Sequence, residues 1–266
     1  MTLNSQQRFA PMVDGCKLAY SHYLNGNKST LVLSNSLGTT QQLWRGQIAA
    51  FAEHFNLITY DKRGHGQSDI TPGDYSLDRL GNDVIELLDI LGLDKVHFCG
   101  ISIGGMTGQW LATFHPSRID RLVIANSAPI IPTPSIWQER INQVQEHGLE
   151  SIWSAVVSRW VSDNFAERSP ADVEFMRSMF LQNDAQGYAA CCAAIRDMDL
   201  RNVAQLNYLK TLIIGGTQDL ATPIEQSEYL LDQYHDAKLL ALDAGHLSNI
   251  EQADLFTSAV LDFLHK

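Results

Sequence analysis

The sequence predicts an α/β protein in which a mostly parallel central sheet is flanked by helices and covered by a helical cap. Three features of the 266 residues support this prediction. Short apolar runs alternate with stretches of helical periodicity, as in parallel strands joined by crossover helices. Between about residues 129 and 203 the strand pattern stops and only helical spacing continues. The hydrophobic content of 45% is sufficient for a packed core, so a disordered chain is excluded.

The strand candidates occur at regular intervals along the chain. Alternating residues over Lys17–Tyr23 predict an antiparallel strand at the entrance to the sheet. The other candidates are short apolar runs, typical of buried parallel strands. They are Thr30–Ser34, Asn56–Tyr60, 95–99, 121–125, 211–214 and 238–242. Helices are predicted between them, over 44–52, 77–91 and 104–114, and after each of the last two strands.

The helical segment that interrupts this alternation predicts a cap. Large apolar residues recur in it at helical spacing, beginning with Trp137 and Ile141. Three prolines mark its start: Pro129, Pro132 and Pro134. We therefore divide the chain into a first core part over 1–128, a helical cap over 129–203 and a second core part over 204–266. An insertion at this point is expected to cover the carboxyl ends of the strands.

The charge balance argues against several partners. Nineteen basic and 30 acidic residues give a net charge of -11, and such a chain repels phosphate backbones and anionic membranes. We expect no nucleic acid and no membrane as partner, and a monomer or small homo-oligomer. The four cysteines lack zinc-type spacing, and residues 1–8 lack the apolar segment of a secretion signal. These features predict a cytoplasmic protein with reduced thiols.

The strongest chemical signal is the G-x-S-x-G segment Gly100-Ile101-Ser102-Ile103-Gly104. It follows one predicted strand directly and leads into a predicted helix, which is the setting of a nucleophile elbow. Such a turn strains the serine and raises its hydroxyl above the sheet. Glycines suit the two outer positions because side chains there would collide with neighbouring backbone. Ser102 is the predicted nucleophile, and the alternative is a glycine-rich turn with an incidental serine.

A serine nucleophile needs a histidine base and an acid that orients the imidazole. Among nine histidines, His246 lies in the loop between the last predicted strand and the final helix. His65, in a glycine-rich loop, is its main rival. Asp219 follows the next-to-last strand, whereas Asn126 occupies the other strand end where an acid could stand. The chain order Ser102, Asp219, His246 is that of α/β hydrolases.

Two backbone N–H groups should bind the oxyanion that forms during acyl transfer. Ile103, directly after the nucleophile, supplies one, and Leu37, in the loop after an early strand, is the expected source of the other. The loop over 61–68 has two interpretations. It forms a wall of the active-site entrance, or it is structural, with Asp61 and Arg63 pairing to nearby backbone; its glycines favour the structural interpretation.

These segments resemble the α/β-hydrolase superfamily over essentially the whole chain and, within it, the 3-oxoadipate enol-lactonase family. The resembling segments are 35–39 with Trp44, 60–68, 100–105 and 187–197. Asn35-Ser36 is specific because many hydrolases of the superfamily have His-Gly there, and the segment 187–197 is specific because it lies in the cap. The resemblance implies opening of the enol-lactone to 3-oxoadipate through an acyl-enzyme in aromatic-compound breakdown. It also implies that neither a metal nor an organic cofactor takes part.

The substrate that this resemblance implies is a small anionic lactone, so the acidic chain must supply a local cation. Arg140, Arg159 and Arg196 in the cap are candidates, and we prefer Arg196 because it belongs to a resembling segment. A surface salt bridge is the alternative for each arginine. Trp137 and Trp160 either form an apolar wall around the substrate or fill the core of the cap.

Two other functions remain open at this point. The same three residues could cleave a carbon–carbon bond in a ring-fission product or hydrolyse a simple carboxylester. Alternatively, the protein could be a ligand sensor with slow turnover, whose cap recruits a protein partner when it closes. Steady turnover that depends on Ser102 would exclude a purely binding role.

Overall fold

The structure, a computed structural model, describes residues 7–265. Within them the chain forms one sheet of eight strands. The strands are β1 (Gln7–Pro11), β2 (Lys17–Tyr23), β3 (Thr30–Ser34), β4 (Asn56–Tyr60), β5 (Val96–Ile101), β6 (Ile119–Ala125), β7 (Lys210–Gly216) and β8 (Ala237–Leu242). Their spatial order is β1-β2-β4-β3-β5-β6-β7-β8. Strand β2 is antiparallel to β1 and β4, and the pairs from β4 to β8 are parallel.

Eleven α-helices accompany these strands in the described part of the chain. They are α1 (Ile48–Ala52), α2 (Leu77–Ile90), α3 (Ile103–Phe114), α4 (Pro134–His147), α5 (Trp153–Trp160), α6 (Asp163–Arg168), α7 (Pro170–Leu181), α8 (Ala185–Asp197), α9 (Ile224–Gln233), α10 (Ser248–Glu251) and α11 (Ala253–Leu264). Helices α4 to α8 follow one another without an intervening strand, and they all lie inside the segment predicted to form the cap.

The predicted fold class is confirmed, and all seven predicted strands are present with small shifts at their ends. Strand β1 was missed because it is a short edge strand in which Ala10 alone is buried. The single helix predicted over 44–52 is instead a 3₁₀ turn over Gln41–Trp44 followed by the short α1. Gly46 lies between the two pieces, at a point where glycine weakens a continuous helix.

The register of the parallel strands places four loops at one edge of the sheet. Ser34 of β3 pairs with Gly100 of β5, and Ile101 pairs with Ala125 of β6. Ala125 in turn pairs with Ile214 of β7. Because parallel strands end at the same edge, the segments that follow β3, β5, β6 and β7 all leave the sheet together. The predicted oxyanion loop, nucleophile and acid therefore belong to neighbouring loops.

The cap segment packs closely on the core at the start of α8. The backbones of Gly64 and Gly187 touch there, and a Cβ atom added at Gly187 would lie 2.2 Å from the carbonyl oxygen of Gly64. An aromatic cluster supports the cap from within, with ring centroids of Trp160 and Phe180 5.7 Å apart and those of Phe180 and Tyr188 5.5 Å apart. This close contact between two backbones explains why both positions, which are far apart in sequence, require glycine.

Within residues 7–265, none of the helices combines the length and the apolar character needed to cross a bilayer.

Candidate active site

Ser102 occupies a strained turn between β5 and α3. Its backbone has φ 58° and ψ -121°, a conformation that residues with a side chain rarely adopt. The crowding around it requires glycine, since a Cβ atom at Gly100 would lie 2.2 Å from the oxygen of Gly104. A Cβ atom at Gly104 would lie 2.3 Å from the oxygen of Ser34. The turn is therefore the sharp strand-to-helix bend that the sequence predicted, with Ser102 at its apex.

The structure brings Asp219 and His246 into direct contact. Asp219 follows β7, His246 follows β8, and the Nδ1 atom of His246 lies 2.8 Å from Oδ2 of Asp219. Both residues are buried. With Nδ1–H donating to the carboxylate, Nε2 of the neutral ring has a free lone pair, which is the tautomer that a general base requires.

Four donors besides the imidazole hold the Asp219 carboxylate in place. Oδ1 accepts the backbone N–H groups of Ala221 at 2.8 Å and Thr222 at 2.9 Å. Oδ2 accepts the Thr222 hydroxyl at 2.8 Å and the side-chain amide of Asn126 at 3.0 Å. Burial raises the pKa of Asp219, but the nearby His246 and these hydrogen bonds outweigh burial and lower the pKa below its usual value. The carboxylate is therefore held ionised.

The loop that carries His246 is tied to the cap through Glu251 of α10. This buried carboxylate accepts the backbone N–H of Gly245 at 2.9 Å and that of Ser162 at 3.1 Å, together with the Ser162 hydroxyl. The N–H of Leu247 donates to the oxygen of Trp160 at 2.7 Å. Sequence reasoning missed Glu251. The signal that could have indicated it is an acidic residue shortly after the candidate base His246. Its contacts fix the His246 loop against the segment between α5 and α6.

Ser102 and His246 both line one cavity of about 280 Å³ between the sheet edge and the cap segment. In the described part of the chain, no hydrogen bond joins the Ser102 hydroxyl to the imidazole. Catalytic contacts of this kind are often long before substrate binds. The structure thus brings the predicted nucleophile, base and acid to one site, with the pair of Asp219 and His246 already assembled.

The rival histidine, His65, has a structural environment. Its Nε2 atom accepts the backbone N–H of Gly38 at 2.9 Å, and the ring is buried away from the cavity. Burial and then the neighbouring charge of Lys62 hold the pKa of His65 well below its usual value. A neutral imidazole whose basic nitrogen is already bonded has no free lone pair for a reaction.

The contacts of the loop over 61–68 support the structural interpretation rather than that of an entrance wall. Asp61 accepts the backbone N–H groups of Gln41 at 2.7 Å and Gln67 at 3.0 Å, as expected. The partners expected for Arg63 are corrected: it pairs with carboxylates rather than backbone, at 2.6 Å from Asp83 and 2.8 Å from Asp14. None of the described residues of this loop lines the cavity.

The two N–H groups expected to bind an oxyanion are available. Leu37 lines the cavity, and Ile103 begins α3 directly after Ser102. Among the hydrogen bonds of residues 7–265, neither backbone N–H donates to a protein acceptor. The N–H of Ile103 is at the start of a helix, where N–H groups have no partner within the helix, so it suits a developing negative charge.

Both predicted tryptophans, Trp137 of α4 and Trp160 of α5, line the cavity. Trp160 also packs edge-on against Trp153, with ring centroids 6.0 Å apart, and thus contributes to the interior of the cap as well. The two interpretations given for these residues are therefore compatible. Their rings make one side of the cavity apolar, which suits a small organic ring.

The preference for Arg196 as the substrate's cation is corrected by the structure. Its guanidinium binds Asp197 at 2.7 Å, Asp74 at 2.9 Å and Gln138 at 2.6 Å, and it lies outside the cavity. Arg140 and Arg159 line the cavity instead. Sequence position did not distinguish the three because the direction of each side chain depends on how the cap helices pack.

Neither Arg140 nor Arg159 takes part in an ion pair with the described acidic residues. Arg140 lies over the ring of Trp137 at 5.1 Å from its centroid. Burial and then the charge of Arg140 lower the pKa of Arg159. Two neighbouring guanidinium groups without a carboxylate partner create a local positive potential in an otherwise acidic protein.

Fold and site together define a class of protein. Residues 29–201 match the family described as alpha/beta hydrolase fold. The chain is a member of that family, which covers more than half of its length, and like its curated relatives it is a carboxylic ester hydrolase.

More particular similarities follow from curated relatives and solved structures. The chain is 40% identical to 3-oxoadipate enol-lactonase 2 of Acinetobacter baylyi over 243 residues, or 91% of each chain. It is 37% identical to 3-oxoadipate enol-lactonase 1 of the same organism, again over 91% of each chain. The crystal structure of the enol-lactonase from Burkholderia xenovorans LB400 superimposes with a TM-score of 0.95 at 39% identity, covering 97% of this chain and 100% of that chain.

Proposed function

We propose that the protein hydrolyses the enol-lactone of 3-oxoadipate to 3-oxoadipate, with Ser102 as nucleophile. The observation that carries this proposal is the bonded pair of Asp219 and His246, with His246 and Ser102 lining one cavity. Arg140 and Arg159 line the same cavity, and none of the carboxylates within residues 7–265 pairs with them. The identity of 40% to a 3-oxoadipate enol-lactonase over 91% of both chains supports the same substrate.

In the first half-reaction the Ser102 hydroxyl attacks the lactone carbonyl carbon. Nε2 of His246 takes the hydroxyl proton, and ionised Asp219 stabilises the resulting imidazolium. The carbonyl oxygen becomes an oxyanion that accepts hydrogen bonds from the N–H groups of Leu37 and Ile103. When the carbonyl re-forms, the ring carbon–oxygen bond breaks and the ring oxygen leaves as an enolate. The imidazolium of His246 returns its proton to this enolate, which gives the ketone of the product, still esterified to Ser102, and leaves His246 neutral for the next step.

In the second half-reaction water cleaves the acyl-enzyme. His246 removes a proton from the water while the oxygen attacks the ester carbon, and the same two N–H groups bind the second oxyanion. The Ser102 oxygen then leaves with the proton from His246. One water is consumed, a carboxylate and a ketone are formed, and the enzyme returns to its starting state.

The side-chain carboxylate of the lactone requires a cation, and Arg140 and Arg159 are the residues that we assign to it. Both face the cavity, and the described carboxylates pair with neither of them. A hydrogen bond to a charged group contributes about 1.5–3 kcal/mol, or roughly a 10- to 150-fold change in binding. Arginine suits this task because its planar fork matches a carboxylate.

The first test is a direct assay of the purified protein on the enol-lactone, followed by ultraviolet absorbance. We expect rapid turnover, and we expect Ser102→Ala to abolish it. If the protein opened the enol-lactone no faster than it cleaves p-nitrophenyl acetate, the assignment of the substrate would be refuted. A carboxylesterase with a different substrate would then be the better description.

The second test separates the anion-binding role from the fold. Arg140→Met and Arg159→Met should each raise KM for the enol-lactone at least tenfold while leaving turnover of neutral p-nitrophenyl acetate nearly unchanged. Arg177→Met is the matched control, because Arg177 lies on α7 of the same cap and pairs with Glu150 on the surface. An equal effect of the control variant, or an equal loss on the neutral ester, would refute the role of the two arginines.

A further inference from the structure

Lys62, directly after Asp61 in the loop that follows β4, is a buried cation. The residue is only 3% exposed, and its ammonium donates to the backbone oxygens of Asn35 at 2.9 Å and Ser36 at 3.1 Å. Within residues 7–265 it forms no ion pair with a carboxylate. Burying an ammonium on neutral carbonyls is unfavourable compared with leaving it in water. The buried ammonium of Lys62 therefore requires an explanation through a favourable effect of its charge elsewhere in the site.

The geometry of one peptide unit connects this ammonium to the cavity. The carbonyl of Ser36 and the N–H of Leu37 belong to the same peptide group, and the described chain contains no cis peptide bonds. In a planar trans peptide these two groups point in opposite directions. Because the Ser36 oxygen points at Lys62, the Leu37 N–H points away from the ammonium. Ser36 and Leu37 both line the cavity.

We propose that Lys62 is a positioning residue for the oxyanion site, in which its ammonium orients and polarises the peptide that carries the Leu37 N–H. This inference rests on the proposed function in one respect, the use of that N–H as an oxyanion donor. A cation on the carbonyl oxygen draws electron density from the peptide and strengthens its N–H as a donor. The charge also lies behind the oxyanion and favours it directly.

Other contacts hold the same loop, so the charge of Lys62 and the shape of the loop can be separated. The Ser36 oxygen also accepts the Thr39 hydroxyl at 2.9 Å and the Thr39 N–H at 3.3 Å. Gly38 donates to His65. Removing the ammonium therefore leaves most of the loop's bonds in place and removes mainly its electrostatic effect.

The expected size of that effect follows from distance. The path from the ammonium through the peptide to an oxyanion is roughly 8 Å, from the length of a peptide group and of two hydrogen bonds. At that distance and an effective dielectric constant of about 20, loss of the charge lowers the rate by about 30-fold. The oxyanion exists only near the transition state, so the loss should fall on kcat and leave KM nearly unchanged.

The charge of Lys62 also predicts a pH dependence. Burial lowers its pKa to about 8. The titratable groups that face it are Asp61 and His65 from its own loop and Cys191 from α8. Burial raises the pKa of the Cys191 thiol to about 12, so the thiol is neutral where Lys62 titrates. The protonated lysine is the active form, and kcat should therefore fall as the pH rises through about 8.

The test uses the full-length protein and p-nitrophenyl acetate, a substrate that does not depend on the identity of the lactone. The variants are Lys62→Met, which removes the charge at similar length, and Lys62→Arg, which stays protonated at all accessible pH values. Lys210→Met, at an exposed position on β7, is the control for a general change in net charge. kcat and KM are measured from pH 6 to 10, with circular dichroism at each pH to confirm folding.

We expect Lys62→Met to lower kcat about 30-fold at pH 7 with KM unchanged and to lack the decline near pH 8. Lys62→Arg should retain activity at pH 10. A kcat for Lys62→Met within threefold of the unaltered protein, or an unchanged decline near pH 8, would overturn the inference. If Lys62→Met does not fold, a flat kcat of the unaltered protein from pH 7 to 10 overturns it equally. Absent turnover of the enol-lactone would instead refute the proposed function and leave this result standing.

Discussion

Replacing Lys62 by methionine should also change how the stability of the protein depends on pH. The pKa of Lys62 is about 8 in the folded protein, against 10.5 for an ordinary lysine. Between these values the unfolded chain binds a proton that the folded chain does not. The free energy of unfolding of the unaltered protein therefore rises with pH across this window, relative to a variant that lacks the lysine.

The magnitude follows from the two pKa values. The interval between about 8 and 10.5, at about 1.36 kcal/mol per pH unit, corresponds to roughly 3 kcal/mol. Below pH 8 Lys62 is protonated in both states, so the whole penalty for burying the charge is present there. The penalty disappears as the pH approaches the pKa of the unfolded chain. Lys62→Met should thus lose up to roughly 3 kcal/mol of stability relative to the unaltered protein between pH 8 and 10.5.

The assay is urea denaturation of both proteins at several pH values from 7 to 10.5, followed by far-ultraviolet circular dichroism. Subtracting the two unfolding free energies at each pH cancels the contributions of groups common to both proteins. Lys210→Met should show no comparable change, because Lys210 is exposed. A difference between the unaltered protein and Lys62→Met that stays constant from pH 7 to 10.5 would refute the claim that burial lowers the pKa of Lys62.

Three further substitutions test the assembly of the site and of the loop behind it. Asp219→Asn should lower kcat about 10⁴-fold on p-nitrophenyl acetate with an unchanged circular dichroism spectrum, because an amide favours the wrong imidazole tautomer; a loss below tenfold would contradict this role. Gly104→Ala should lower both Tm and kcat, since its Cβ would lie 2.3 Å from a carbonyl oxygen. Gly46→Ala should leave both nearly unchanged, because among residues 7–265 the added Cβ meets no crowding atom within 4 Å. Arg63→Met should lower the urea-derived free energy of unfolding by about 3 kcal/mol because it leaves the buried carboxylate of Asp83 poorly compensated; a change below 1 kcal/mol would show that the pair is not needed.

The parts of the structure that sequence reasoning predicted well are those governed by local pattern. Buried parallel strands require runs of apolar residues, and each predicted run forms a strand. The bend at Ser102 was also predictable, because the glycines at both outer positions of one pentapeptide can be recognised in the sequence. The crowding at Gly100 comes from the pentapeptide itself, whereas that at Gly104 comes from Ser34 on another strand. The short strand β1 carries little such pattern, since edge strands bury few side chains.

The direction of long side chains was not predictable in the same way. Three chemically identical side chains lie on cap helices, those of Arg140, Arg159 and Arg196. The first two line the cavity. Arg196 instead binds Asp74 and Asp197 outside it. Helical periodicity shows which residues share a face. It does not show which neighbouring helix that face meets.

The sequence by itself determined the order of strands and helices along the chain and the position of the bend at Ser102 between a strand and a helix, because these patterns are carried by residues that are neighbours in the chain. Tertiary structure alone decided which arginines line the cavity and that Lys62 ends on the carbonyl of Ser36. It also brought Asp219, which the sequence had already singled out, into contact with His246. These contacts join residues separated by 26 positions or more. They follow from how the strand ends and cap helices pack, because burial, charge and peptide orientation act through space between chain segments.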